Sequence, residues 1–158
     1  MLIISSIIET MKLIHNITIS VFVKEFDDEE KTAMTLVSLL PDKFEEEKIK
    51  IEEETVKIEE GTKMKIFKAK TDKDRHNKQI ISKIKDILGE KQCEEIAKDN
   101  SRIDDQGNLY IRLDKIKLEE KGEAIDVDHG ECYHIKIMLA AFPKTKEKAI
   151  LVAKKIFT

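Results

Sequence analysis

The chain has no tryptophan, two cysteines, two prolines and five glycines in 158 residues, and aromatic residues make up only 5% of it. Each shortage excludes something. Cys93 and Cys132 are too few for a disulfide framework, so packing must hold the fold together. With five glycines, little of the backbone can wrap closely around a nucleotide. No Gly-rich phosphate loop, Gly-x-Ser-x-Gly elbow or His-Glu-x-x-His motif occurs. The apolar start, Met1 to Ile8, lacks a basic leader and is far shorter than the ~20 residues of a membrane span. There are no internal repeats, Gly/Ser linkers or low-complexity tracts. These absences lead us to expect a protein that is not an enzyme, needs no cofactor, has no membrane partner and works in the cytoplasm.

Charge is what the sequence has in abundance: 39% of residues are charged, with a net charge of −3. The two signs are separated along the chain. Glu25 to Glu60 holds fourteen acidic and five basic residues, whereas Gly61 to Lys85 holds nine basic and two acidic ones. Lys144 to Thr158 adds five lysines against Glu147. Fields between exposed charges are screened beyond roughly 8 Å in physiological salt, so a basic patch can bind phosphate on an acidic protein. Lys63, Lys65, Lys68, Lys70, Lys73, Arg75 and Lys78 form the densest such strip. They suit a phosphate backbone. Charge alone favours an exposed strand edge, which lysines protect from unwanted pairing. Arginine occurs only at positions 75, 102 and 112. Lysine meets phosphate as a point charge, so recognition should depend on shape and backbone charge more than on base sequence.

Periodicity predicts an α+β fold with the order β-α-β-β-α-α-β-β-β-α, an antiparallel or mixed sheet with helices on one side. The first strand covers residues 15–24, with Ile17, Ile19, Val21 and Val23 on one face. Asp27 is expected to cap a helix carrying Ala33, Leu36, Val37 and Leu40, with Glu30 completing a capping box and Pro41 ending it. A hairpin follows from Ile49 to Lys70, turning at Glu60-Gly61-Thr62. Ile49 and Ile51 are odd-numbered but Val56 and Ile58 even, which predicts a bulge between Glu52 and Thr55. The return strand has mixed faces, so its inward side stays open. A helix runs from about Asp72–Asp74 to Leu88 and closes at Gly89, and a short one follows with Cys93, Ile96 and Ala97. Residues 116–122 read as an irregular corner and Ala124 to Val127 as a short strand. A long strand then runs from Cys132 to Phe142, and a basic amphipathic helix ends the chain.

Asn108-Leu109-Tyr110-Ile111-Arg112-Leu113-Asp114-Lys115 is the most informative stretch. After the Gly107-Asn108 turn, Leu109, Ile111 and Leu113 alternate with Tyr110 and Arg112. One face can be buried, and the other offers a ring and a guanidinium on which an unpaired base can stack. Alternation alone favours an ordinary half-buried strand, since it reports burial and not ligands.

Taken with Ile17-Thr18-Ile19-Ser20-Val21-Phe22-Val23 and Ala140-Ala141-Phe142-Pro143, this stretch resembles an archaeal RNA-binding protein family. That family was formerly a domain of unknown function and is often described as exosome-subunit-like. The resemblance runs from about Leu13 to the C-terminus. It implies an α+β fold like the ribosomal protein that holds 5S rRNA, no catalysis, and RNA as ligand, with exosome subunits as further partners. The family usually continues past Asp114-Lys115 with glutamine and small residues, where this chain has Ile116-Lys117-Leu118. The expected RNA-contacting residues are therefore the lysine strip together with Tyr110, Arg112 and Lys115. Residues 1–10 are expected to be an N-terminal extension and 11–158 a single domain.

His129-x-x-Cys132-x-His134, with Asp126 and Asp128 upstream, invites a metal reading. Structural zinc sites use paired ligand elements and this chain offers no second pair, so no metal is expected. The alternative to RNA binding is a protein-interaction adaptor that docks its acidic N-terminal half on a basic partner.

Overall fold

The computed structural model describes residues 11–59 and 61–158; the expectations for residues 1–10 lie outside them. Five strands form one antiparallel sheet: β1 (Ile14–Val23), β2 (Ile51–Glu59), β3 (Thr62–Thr71), β4 (Asn108–Asp114) and β5 (Cys132–Leu139). Their order across the sheet is β2-β3-β1-β5-β4. Four helices accompany it: α1 (Glu29–Ser38), α2 (Asp74–Lys98), α3 (Lys115–Lys121) and α4 (Lys146–Phe157). The α+β architecture and the order of the main strands and helices are those expected from periodicity.

Alternation decides which sheet face is covered. Ile17, Ile19 and Val21 of β1, Leu109, Ile111 and Leu113 of β4, and Tyr133, Ile135 and Ile137 of β5 are all buried. In β3, Phe67, Ala69 and Thr71 are buried, which settles its inward face. The helices supply the other half of the core through Leu36, Ile80, Ile84, Ile96, Leu118, Ala149 and Phe157. Tyr133 adds a polar tie within this layer. Its hydroxyl donates to Glu119 of α3 at 2.6 Å and to the Thr32 carbonyl of α1 at 3.3 Å. Burial and the Glu119 carboxylate push its pKa well above the usual tyrosine value.

Several local expectations change. Asp28, not Asp27, caps α1 by accepting the Lys31 N–H. The hairpin keeps continuous register from Ile51 to Lys57, and its irregularity lies between Lys57 and Glu59. No phase change is needed, because the strand carries apolar groups on both faces: Ile51 lies opposite Ala69 on the helix side and Val56 opposite Met64 on the other. The two helices expected around Gly89 are the halves of α2, broken where Gly89 takes φ 82° and ψ 166°. The corner at residues 116–122 is helical. Asp114 caps α3 by accepting the Lys117 N–H, and Gly122 closes it in the left-handed region. The expected strand at residues 124–127 is reduced to a bridge, Leu113 with Asp126, that lies along the outer edge of β4.

Candidate nucleic-acid interface

The sheet face opposite the helices carries side chains from all five strands. Pairing register sets them in rows. Lys68, Ser20, His134 and Arg112 form one row across β3, β1, β5 and β4. Lys70, Thr18, Lys136 and Tyr110 form the next. Phe22, opposite Ile66, lies on the same face and is 54% exposed. Acidic residues appear on this face mainly at the rim, as Glu52 and Glu54 of edge strand β2 and Asp114 at the end of β4.

Tyr110 and His134 form an aromatic pair with ring centroids 5.5 Å apart and planes tilted by 41°. The Tyr110 hydroxyl donates to Asp104 at 2.8 Å, which fixes the ring from its far end. Asp104 also accepts the backbone N–H groups of Gln106 and Asn108, so its carboxylate is held below its usual pKa despite partial burial. Burial, then the Asp104 carboxylate, raises Tyr110. Burial, then the charges of Arg112 and Lys136, lowers His134, which favours a neutral ring at physiological pH. A neutral imidazole beside a phenol, flanked by cations, can stack a base while its phosphates are held nearby.

The residues singled out by sequence do not all meet here. Tyr110, Arg112, Lys68 and Lys70 lie on the open face. Lys63 and Lys65 alternate to the helix side, and Lys65 is held by Glu29 at 2.9 Å and Glu53 at 3.0 Å. Arg75 is bound to Glu47 at 2.5 Å and Lys78 to Asp74 at 2.9 Å. Lys73 is the residue before α2. Lys115 is a correction: it is 3% exposed, and its Nζ donates to Asp27 at 2.7 Å. Having no surface to offer, it cannot belong to an interface. Sequence reasoning did not assign His134, Lys136 or Phe22 to a binding surface. The outward alternation of β1 and β5 carried that signal, but which strands neighbour β4 was needed to read it.

The metal reading finds no assembled ligand set. Arg102 holds Asp126, His129 pairs with Asp128 on an exposed turn, and His134 faces Tyr110. Among the described residues no group of three or more His, Cys, Asp or Glu could hold a metal ion. Nor is any described helix long and apolar enough to cross a membrane.

Residues 16–139 match the family model described as RNA binding. The chain belongs to that RNA-binding family. A curated relative, RNA-binding protein PAB1135 of Pyrococcus abyssi, is 25% identical over 138 residues, covering 86% of this chain and 88% of the relative. Among solved structures, the DUF54 protein Mth689 of Methanothermobacter thermautotrophicus is 29% identical with a TM-score of 0.73, covering 92% of this chain and 99% of its own. The DUF54 protein AF2318 of Archaeglobus fulgidus is 28% identical with a TM-score of 0.78, covering 90% and 99%. The matched span runs from within β1 to the end of β5, and so takes in residues of every strand of the open face.

Proposed function

We propose that this chain is a non-catalytic RNA-binding protein that lays a single strand of RNA across the open sheet face. Bases stack on Tyr110 and His134, and Lys68, Lys70, Lys136 and Arg112 take the phosphates. Family membership supports RNA as the ligand. The observation that carries the choice of surface is the Tyr110–His134 ring pair, set among four cations that make no ion pair with a carboxylate among the described residues. The acidic N-terminal half favours the adaptor reading less, since Glu29, Glu47 and Glu53 are already held by intramolecular cations. Association with exosome subunits is proposed on the family resemblance alone. A pull-down from native lysate with and without ribonuclease tests it.

Salt titration tests the electrostatic mechanism. Each phosphate neutralised on a single strand contributes about 0.7 to the fall of log K with log salt, so four contacts give a slope of roughly −3. Replacing Lys70 and Lys136 with glutamine should lower the magnitude of that slope by about 1.4 without changing the melting temperature. Affinity that ignores salt, or a slope unmoved by the double variant, would falsify this choice of surface.

A further inference from the structure

A cleft of about 280 Å³ opens where β3 ends and α2 begins, walled on its far side by the turn that leads into β2. Lys48, Lys50, Lys68, Lys70, Lys73 and His76 line it. Some lysines elsewhere are held by carboxylates: Lys24 by Glu131, Lys31 by Glu120, Lys65 by Glu29, Lys83 by Asp42. None of the five cleft lysines is ion-paired among the described residues, although Glu47, Glu52 and Asp72 line the same cleft. Glu47 is already engaged, its carboxylate taken by Arg75 at 2.5 Å and by His76 Nε2 at 3.3 Å. Five lysines thus line one hollow, with Glu52 and Asp72 as the remaining counter-charges. The net positive charge of that lining favours an anion.

One further feature favours a negative guest, and another fixes the cleft wall. Lys73 precedes α2 without a side-chain cap, so the first N–H groups of that helix have no side-chain acceptor at the cleft wall. His76, on the first turn of α2, lines the cleft while only 3% exposed, which gives it a fixed wall.

We propose that this cleft binds the terminal phosphate of an RNA strand. The inference rests on the RNA-binding reading and adds to it an end to which the strand is anchored. A phosphodiester within a strand carries one charge, whereas a terminal phosphomonoester carries about −1.5 to −2 and presents three acceptor oxygens. Five lysines and an uncapped helix terminus match the second better than the first. Lys68 and Lys70 belong both to the cleft and to the open face, so a strand lying on the rings of β4 and β5 can end in the cleft.

The test uses the full chain and one single-stranded oligoribonucleotide in three forms: 5′-phosphorylated, 3′-phosphorylated, and hydroxyl at both ends. One phosphorylated form should bind about tenfold more tightly than the hydroxyl form, the scale of one charge-assisted contact set, and which one it is gives the strand direction. Lys48→Asn with Lys50→Gln should remove that advantage while the hydroxyl form loses much less. Both positions are exposed and lie outside the open face. Lys50→Gln alone, which leaves the turn untouched, should remove part of the advantage. Equal affinity for the three forms overturns the cleft assignment and leaves the open face standing, as does an advantage that survives both variants. Failure of all three forms to bind at low salt overturns the RNA reading and this inference with it.

Discussion

Ile111→Ala will cost about 2–5 kcal/mol of folding stability, the range for truncating a buried aliphatic side chain. Ile111 is wholly buried at the middle of β4, paired with Ile135 of β5. Little around it can collapse to fill the space, since β5 beside it is held in register. Tyr110→Ala, one residue away on the opposite face, removes a half-buried ring and one hydrogen bond to Asp104 and should cost only about 1 kcal/mol. Its effect belongs on affinity instead: about 1–3 kcal/mol for single-stranded RNA if the ring stacks a base. Melting temperature and affinity measured on both variants separate the two roles. If Tyr110→Ala melts as low as Ile111→Ala while its folded fraction binds normally, Tyr110 is a packing residue and the stacking platform is lost.

Lys115→Ala should destabilise the fold by about 2–4 kcal/mol, somewhat below the cost of breaking a wholly buried ion pair. Lys115 is buried, while the side chain of its partner Asp27 keeps 29% of its surface exposed, so part of the orphaned charge can be rehydrated. The same pair predicts a pH dependence. The hydrogen bond from Lys115, supported by the backbone N–H of Lys24, holds Asp27 below the usual aspartate value. A carboxylate depressed on folding contributes stability that is complete above its unfolded pKa and is lost as the pH falls through the folded one. Acid unfolding of the wild type should therefore include an Asp27 component on that limb, which Lys115→Ala reduces. Unfolding monitored at several pH values from neutral downward checks both. Equal stability of wild type and variant at neutral pH sinks the argument.

Lys115 also shows where reading along the chain stops. It lies next to a strand whose alternation is unambiguous, and Leu109, Ile111 and Leu113 are buried as that alternation requires. Its partner, however, stands 88 residues away, and no local pattern announces the meeting. The lysine strip has the same limit. Spacing shows that Lys65 and Lys68 point to opposite sides of β3, but only the position of α1 reveals that Lys65 meets Glu29. α3 escaped notice because seven residues make too short a stripe, although Asp114 and Gly122 were both suitable caps. The hairpin misled for a different reason. Near a two-stranded tip both faces are partly exposed, so apolar residues there do not mark one side.

The strand order has a consequence for how the molecule comes into being. β1, near the start of the chain, lies at the centre of the sheet, and its two neighbours come from opposite ends of the remaining sequence. It pairs with β3 about fifty residues on, as Ile17 with Thr71, but with β5 only after Ile17 meets Ile137. Contacts so distant in sequence close late and slowly, because the loop must be ordered before the pairing rewards it. On the ribosome, β1 can acquire β3 and β2 while the edge reserved for β5 stays open, an unpaired row of backbone groups awaiting the C-terminal third. The surface proposed for RNA spans that seam, with Lys68 and Lys70 on the early side and Tyr110, His134 and Lys136 on the late one. It is complete only once β5 has paired with both β1 and β4.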